Sequence, residues 1–276
     1  MCIQLGKLRL QNGQDITIVS PLHMLMDKAL MNEVSILVKL KHKNLVELVG
    51  YSIQGEIVHL VYHFATHATL NRVIHDPLSI LSDWNKRYKI LLEIARVLVY
   101  LHMQAPGPII HGDIKSGNIV LDEIFYPKLS NFGVASKIEE SDCTYVDQVY
   151  GTGRYMAPEL RNKHCLSTKV DVYSFGVLVL ETIFGYKVPA NNKQLIEYVS
   201  TVTRYIDMGW KYLTQERISN PIDPKIDVDT SSIETFIKIG LSCTDSDPLH
   251  RPTKEEVVDM FLDESSVLRF LPKKEE

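Results

Sequence analysis

Ile110-His111-Gly112-Asp113-Ile114-Lys115-Ser116-Gly117-Asn118, followed by Leu129-Ser130-Asn131-Phe132-Gly133, is the stretch on which the reading of this chain turns. Within one short polar loop, Asp113 can accept a proton, Lys115 can hold a phosphate and Asn118 can ligate a metal. The turn Asn131-Phe132-Gly133 follows about a hairpin's length downstream. A single polar string of this kind is weak by itself, so its meaning depends on what surrounds it.

The 276 residues, 45% of them hydrophobic, suffice for one large core or two modest ones. Charged residues make up 23%, and a net charge of −4 leaves no basic excess for nucleic acid or an anionic membrane surface. The longest apolar runs, such as Gly176-Val177-Leu178-Val179-Leu180, are broken by Glu181, far short of the ~18–20 residues of a membrane span. Met1-Cys2-Ile3-Gln4-Leu5-Gly6 lacks the basic start and apolar core of a signal peptide, and Cys2 stands where a myristoylation pattern needs glycine. The four cysteines, Cys2, Cys143, Cys165 and Cys243, lie far apart without metal-ligand spacing, as in a reducing compartment. The expectation is a soluble cytoplasmic protein.

Working outward, residues 3–19 are predicted as strands, with Leu8-Arg9-Leu10 and Ile16-Thr17-Ile18-Val19 flanking an Asn12-Gly13 turn. Residues 24–39 place Leu25, Ala29, Leu30, Val34, Leu37 and Val38 at roughly helical spacing. Glu33 in that helix has two open readings, a solvated face or a structural role. Ile57 to Phe64 reads as a hairpin edge entering a connection. Asp83-Trp84 opens a long helix to His102, with Leu91, Ile94, Ala95, Leu98 and Leu101 as its buried stripe. Helices are predicted near 191–206 and 231–244, with Pro252 in the first turn of a last helix and a frayed end at Lys273-Lys274-Glu275-Glu276. There are no internal repeats.

The ordered set of motifs resembles the protein kinases, whose catalytic loop and metal-binding turn usually read His-Arg-Asp and Asp-Phe-Gly. Gly112 replaces the arginine, and Asn131 replaces the metal-binding aspartate. Gly151-Thr152-Gly153-Arg154-Tyr155-Met156-Ala157-Pro158-Glu159, Asp171-Val172-Tyr173-Ser174-Phe175-Gly176 and Arg251-Pro252 complete the series. His42-Lys43-Asn44-Leu45-Val46-Glu47-Leu48-Val49-Gly50 and Tyr100-Leu101-His102 resemble the plant receptor-like and receptor-like cytoplasmic group, especially its cysteine-rich branch. The resemblance covers almost the whole chain, from Ile3 to about Leu262.

It implies an α+β bilobal fold, with an incomplete small lobe over residues 1–65 and a large helical lobe over 66–276. The chain starts in what resembles the second strand of a kinase small lobe, with no phosphate-cradling glycine loop before it. The third-strand lysine position holds Val19, and Lys28 lies only in the following segment. Glu33 matches the helix glutamate that normally pairs with that lysine. Tyr62 matches a gatekeeper, and His63, Phe64 and Ala65 match the interlobe hinge that would meet a nucleotide. Asp113, Lys115 and Asn118 match the base, the phosphate-holding lysine and the metal-binding asparagine. Glu159 and Arg251 match a buried pair that fastens the activation segment. Asp171 matches the support of the catalytic loop. Phe132, His111, Leu37 and Leu48 match the apolar stack between lobes, and Gly133 completes the turn.

The family implies ATP and Mg²⁺ as cofactors, while the changed positions weigh against their use. Losing one well-placed electrostatic group costs on the order of 10²–10³ in rate. Three independent losses would multiply to roughly a millionfold, although groups acting as a unit are not additive. Gly112 also removes the arginine that would pair with a phosphorylated Ser141 or Thr144. Three readings stand at this point. One is an impaired pseudokinase that binds receptor-like kinases or immune receptors, cytoplasmic or held at the plasma membrane by such partners. Another is a weakly active Ser/Thr kinase. The last is a product of a truncated gene.

Overall fold

A computed structural model describes residues 3–9, 11, 13, 15–21, 27–55, 57–63, 68–76, 83–138, 143–185, 188, 196 and 230–262. The predicted hairpin is present as strands β1 (Ile3–Arg9) and β2 (Asp15–Pro21), paired antiparallel with Arg9 opposite Asp15. Gly13 supplies the positive φ of +82° in the connection, a conformation that glycine adopts without a Cβ penalty. Helix α1 (Asp27–Leu37) follows, then strands β3 (Leu48–Gln54) and β4 (Ile57–Tyr62), and the sheet order is β1-β2-β4-β3. Val58, Leu60 and Tyr62 alternate inward along β4, as the two-residue period of a half-buried strand requires. Leu30 and Leu37 of α1 are buried in the same core. Val38, placed at helical spacing in the sequence, lies beyond the helix end and is 66% exposed, and Leu25 lies outside the described residues.

The larger part is helical. Helix α2 (Leu70–His75) is followed by α3 (Trp84–Val99), whose N-cap Asp83 accepts a hydrogen bond from the Asn85 amide. The chain then widens into a π turn over Tyr100–Gln104, closed by the Ala105 amide on the Tyr100 carbonyl. Strand β5 (Ala68–Thr69) pairs with β7 (Ile119–Leu121), which pairs with β8 (Pro127–Leu129). Strand β6 (Ile109–Ile110) pairs with β9 (Ser136–Lys137). The polar loop thus leaves β6 and enters β7, and the Asn131 turn leaves β8.

Strand β10 (Thr144–Tyr145) pairs with β11 (Cys165–Leu166), with the short helix α4 (Pro158–Lys163) between them. Helix α5 (Thr168–Phe184) is so apolar that both its faces are buried, and Ser167 caps it. Helices α6 (Thr230–Cys243) and α7 (Lys254–Leu262) pack around it. At the crossing of α5 and α6, a Cβ on Gly176 would lie 2.6 Å from the Cys243 Cβ and 2.9 Å from the Gly240 carbonyl. Only glycine allows that approach.

Two expectations need correction. Pro252 is not in the first turn of the last helix, because Thr253 caps α7 in a reciprocal pair with Glu256 and Pro252 precedes the cap. The cysteines do not all stand apart: Cys143 and Cys165, 22 residues apart in sequence, form a disulfide. The predicted helix over 191–206 falls almost wholly outside the described residues. No described helix is long and apolar enough to cross a membrane.

Candidate active site

The polar loop is built upward from α5. Asp171, fully buried, accepts hydrogen bonds from the amides of His111 at 2.8 Å and Gly112 at 2.9 Å, and from His102 Nε2 at 3.0 Å. The π turn delivers His102 to that position. Burial pushes the Asp171 carboxyl up, but the hydrogen bonds from His102 and the Gly112 amide outweigh it and hold the carboxyl below its ordinary value. Gly112 takes a left-handed φ of +75°, so both loop amides converge on one carboxylate. His111 Nε2 donates to the Ser130 carbonyl, its Nδ1 accepts from the Asp113 amide, and burial keeps the ring neutral. Its ring meets Phe132 edge to face at 4.7 Å.

Asp113, Lys115, Asn118 and Asn131 are brought together. Asp113 Oδ2 accepts from Lys115 Nζ at 2.7 Å, Asn118 Nδ2 at 2.9 Å and Asn131 Nδ2 at 3.4 Å. Burial raises the Asp113 carboxyl, yet Lys115 and the Asn118 amide more than offset it, so the group stays ionised below its usual range. Asp113 Oδ1 makes no hydrogen bond among the described residues. Lys115 Nζ also donates to Thr152 Oγ1 at 2.6 Å.

Asn118 Nδ2 donates to the Asp113 carbonyl at 2.7 Å as well, so its Oδ1 must face the other way. There it accepts from Asn131 Nδ2 at 3.2 Å. Both neighbours of the Asn131 amide are acceptors, which fixes its nitrogen on this side. An N–H therefore points at Asn118 Oδ1, the oxygen that a cation would need, as well as at Asp113 Oδ2, and an N–H cannot ligate a cation. As arranged, this donor set does not fit Mg²⁺. Among the described residues, no group of three or more His, Cys, Asp or Glu is placed to hold a metal.

A second cluster sits beneath α1. Glu33 is 3% exposed, which removes the solvated reading, and it accepts from the Tyr62 hydroxyl at 2.8 Å and from the amides of Phe132 and Asn131. Burial raises its pKa against the pull of those donors. Burial and the facing carboxylate push the Tyr62 hydroxyl upward, so it remains a donor. Val19 lies on β2 opposite Leu60 and packs against the core. Asn32 Nδ2 reaches the carbonyls of Phe132, Gly133 and Ala135 at 3.3, 3.2 and 2.9 Å. Sequence reasoning passed over Asn32, and its only signal was its place beside Glu33.

Elsewhere Glu159 and Arg251 form a bidentate buried pair at 2.6 and 2.8 Å. Sequence reasoning also missed Glu181, which is buried and accepts from Ser116 Oγ at 3.0 Å and the Tyr155 hydroxyl at 2.7 Å. His63 is exposed, with its amide on the Glu47 carbonyl, while Phe64 and Ala65 lie outside the described residues.

The family profile for the protein kinase domain matches residues 18–262. Among curated proteins of Arabidopsis thaliana, the chain is similar to cysteine-rich receptor-like protein kinase 19, at 39% identity over 85% of this chain and 36% of that protein. It is also similar to cysteine-rich receptor-like protein kinase 27, at 39% identity over 87% of this chain and 37% of that protein. Cysteine-rich receptor-like protein kinase 44 is 37% identical over 85% of this chain and 62% of its own length. The chain spans about a third of the length of most of these relatives.

Proposed function

The chain belongs to the protein kinase family, and from that membership we propose that it is a catalytically impaired member that acts by binding other proteins, as a signalling scaffold or decoy. The observation that carries this reading is the Asn131 amide, which turns an N–H toward Asn118 Oδ1 and Asp113 Oδ2. Kinase chemistry rests on positioning and on neutralising phosphate charge, because protein groups do little covalent work. The family in general uses ATP and Mg²⁺. Here a donor stands where the metal's carboxylate ligand would be, and Val19 offers no cation to an α- or β-phosphate. Tyr62 has taken over Glu33, so the scaffold is complete without a lysine. The partners that fit are receptor-like kinases of the related group or immune receptors that monitor them, met in the cytoplasm or at the plasma membrane.

One observation favours the second reading, a weakly active Ser/Thr kinase. Asp113 stays ionised beside Lys115, as a proton acceptor for a hydroxyl would be. Radiometric transfer from ATP with Mg²⁺ or Mn²⁺ separates the two. The impaired reading expects no signal above the Asp113→Asn variant, and transfer that this variant abolishes would overturn it.

A further inference from the structure

Three features of the segment after the Asn131 turn converge on one pair of residues. First, Cys143 immediately precedes β10 and Cys165 begins β11, and the two strands are only two residues each, in the register Thr144 opposite Leu166 and Tyr145 opposite Cys165. The Val146 amide on the His164 carbonyl at 3.0 Å and His164 Nδ1 on the Val146 carbonyl at 3.1 Å extend the pairing. So short a ladder holds weakly without a second restraint. Second, the Cα atoms of Cys143 and Cys165 are 5.5 Å apart, the separation a disulfide needs, and their sulfurs are joined. Both residues are part-exposed, whereas Cys243 is buried and its thiol is pushed up to about 12 by that burial. Thiol chemistry needs access, so buried Cys243 is inert while the pair can be reached from solvent. Third, the span they close contains Thr152, whose hydroxyl is held by Lys115, and Tyr155, whose hydroxyl binds Glu181 beneath the polar loop.

We propose that Cys143 and Cys165 are an oxidative modification site, a thiol pair whose conversion to a disulfide closes the 143–165 segment into a loop and holds its two short strands together. The co-reactant is a low-molecular-weight disulfide such as oxidised glutathione. The thiolate of one cysteine attacks it and displaces one glutathione thiolate. The second cysteine's thiolate then attacks the mixed disulfide and displaces the other. One S–S bond is made for each one broken, the protein loses two electrons and two protons, and a dithiol reverses the sequence. The clamp holds Tyr145, 77% exposed, and Tyr150, 60% exposed, on an ordered surface instead of a free strand. It does not depend on whether the chain transfers phosphate.

The full chain, in a Cys2→Ser background, is treated with oxidised glutathione or with dithiothreitol and mapped by non-reducing peptide mass spectrometry. Limited chymotrypsin digestion then follows cleavage after Tyr145 and Tyr150. The expected result is a single Cys143–Cys165 cross-link that dithiothreitol removes, with cleavage about tenfold slower in the oxidised protein. Cys143→Ser and Cys165→Ser should each be cut at the reduced rate under both conditions. Separate glutathione adducts on the two cysteines would overturn the proposal, and so would a cross-link that leaves the cleavage rate unchanged. The comparison of oxidised with reduced parent protein stands even where a serine variant folds poorly.

Discussion

Asn131 and Glu33 show how one altered side chain redistributes the duties of its neighbours. Asn131 closes the site with a hydrogen bond where a carboxylate would have needed a counter-ion. Asn131→Asp places a second carboxylate against Asp113, and two such groups cannot both ionise cheaply without a cation beyond Lys115. The variant should therefore melt below the parent in chelator and recover when Mg²⁺ or Mn²⁺ is added with ATP, while the parent shows no metal-dependent shift. At ~100 times its dissociation constant a ligand adds roughly 2.7 kcal/mol, a shift of several degrees in a thermal melt. An equal metal response from both proteins would mean that the Asn131 amide does not block the site.

Glu33 gives a pH signature instead. Its folded pKa is raised above the usual 4.5, so the native state binds more protons than the unfolded chain. Its contribution to stability is then largest at low pH and declines as pH rises above that usual value. Glu33→Gln removes this slope, so the stability difference between variant and parent should move in the variant's favour from pH 5 toward pH 8. Urea unfolding across that range measures it, and parallel curves would refute the assignment.

The contacts that hold the elements together divide into those readable in the chain and those made only by folding. The loop, the turn, the Glu159–Arg251 pair and Asp171 were legible because their residue types recur in a fixed order, and the structure brings the two charged partners within 2.6 Å. The Thr253–Glu256 cap on α7 fits a capping-box pattern that the sequence reading passed over in favour of Pro252. Tyr62 as the partner of Glu33 was not legible, since 29 residues separate them and the sequence shows only that a lysine is gone. The π turn at Tyr100–Gln104 was hidden for the same kind of reason: its pattern continues that of α3, and only the pull of Asp171 on His102 distinguishes it. The α5–α6 crossing lies between these cases, since two glycines in apolar helices hint at close approach without naming the partner. Gly176→Ala should cost about 1–3 kcal/mol by overpacking, because the new methyl meets backbone at Gly240 as well as side chains. Chemical denaturation would register it, and a neutral substitution would mean the two helices separate easily.

Across the whole molecule, charged groups that are out of water do the fastening. Arg251 is 2% exposed and bonds Glu159 twice, the Asp245 and Lys169 carbonyls once each, and lies over the Tyr173 ring at 4.8 Å. It thereby joins α4, the start of α5 and the approach to α7. Glu159→Gln keeps the shape but leaves this guanidinium buried without its counter-charge. Breaking one side of a buried pair costs roughly 3–5 kcal/mol, against at most about 1 kcal/mol for an exposed one. The variant should unfold at markedly lower urea, with the m-value unchanged if the folded state keeps its compactness. A loss under about 1 kcal/mol would mean that water reaches the pair in solution and that the α4–α7 junction is held by packing alone.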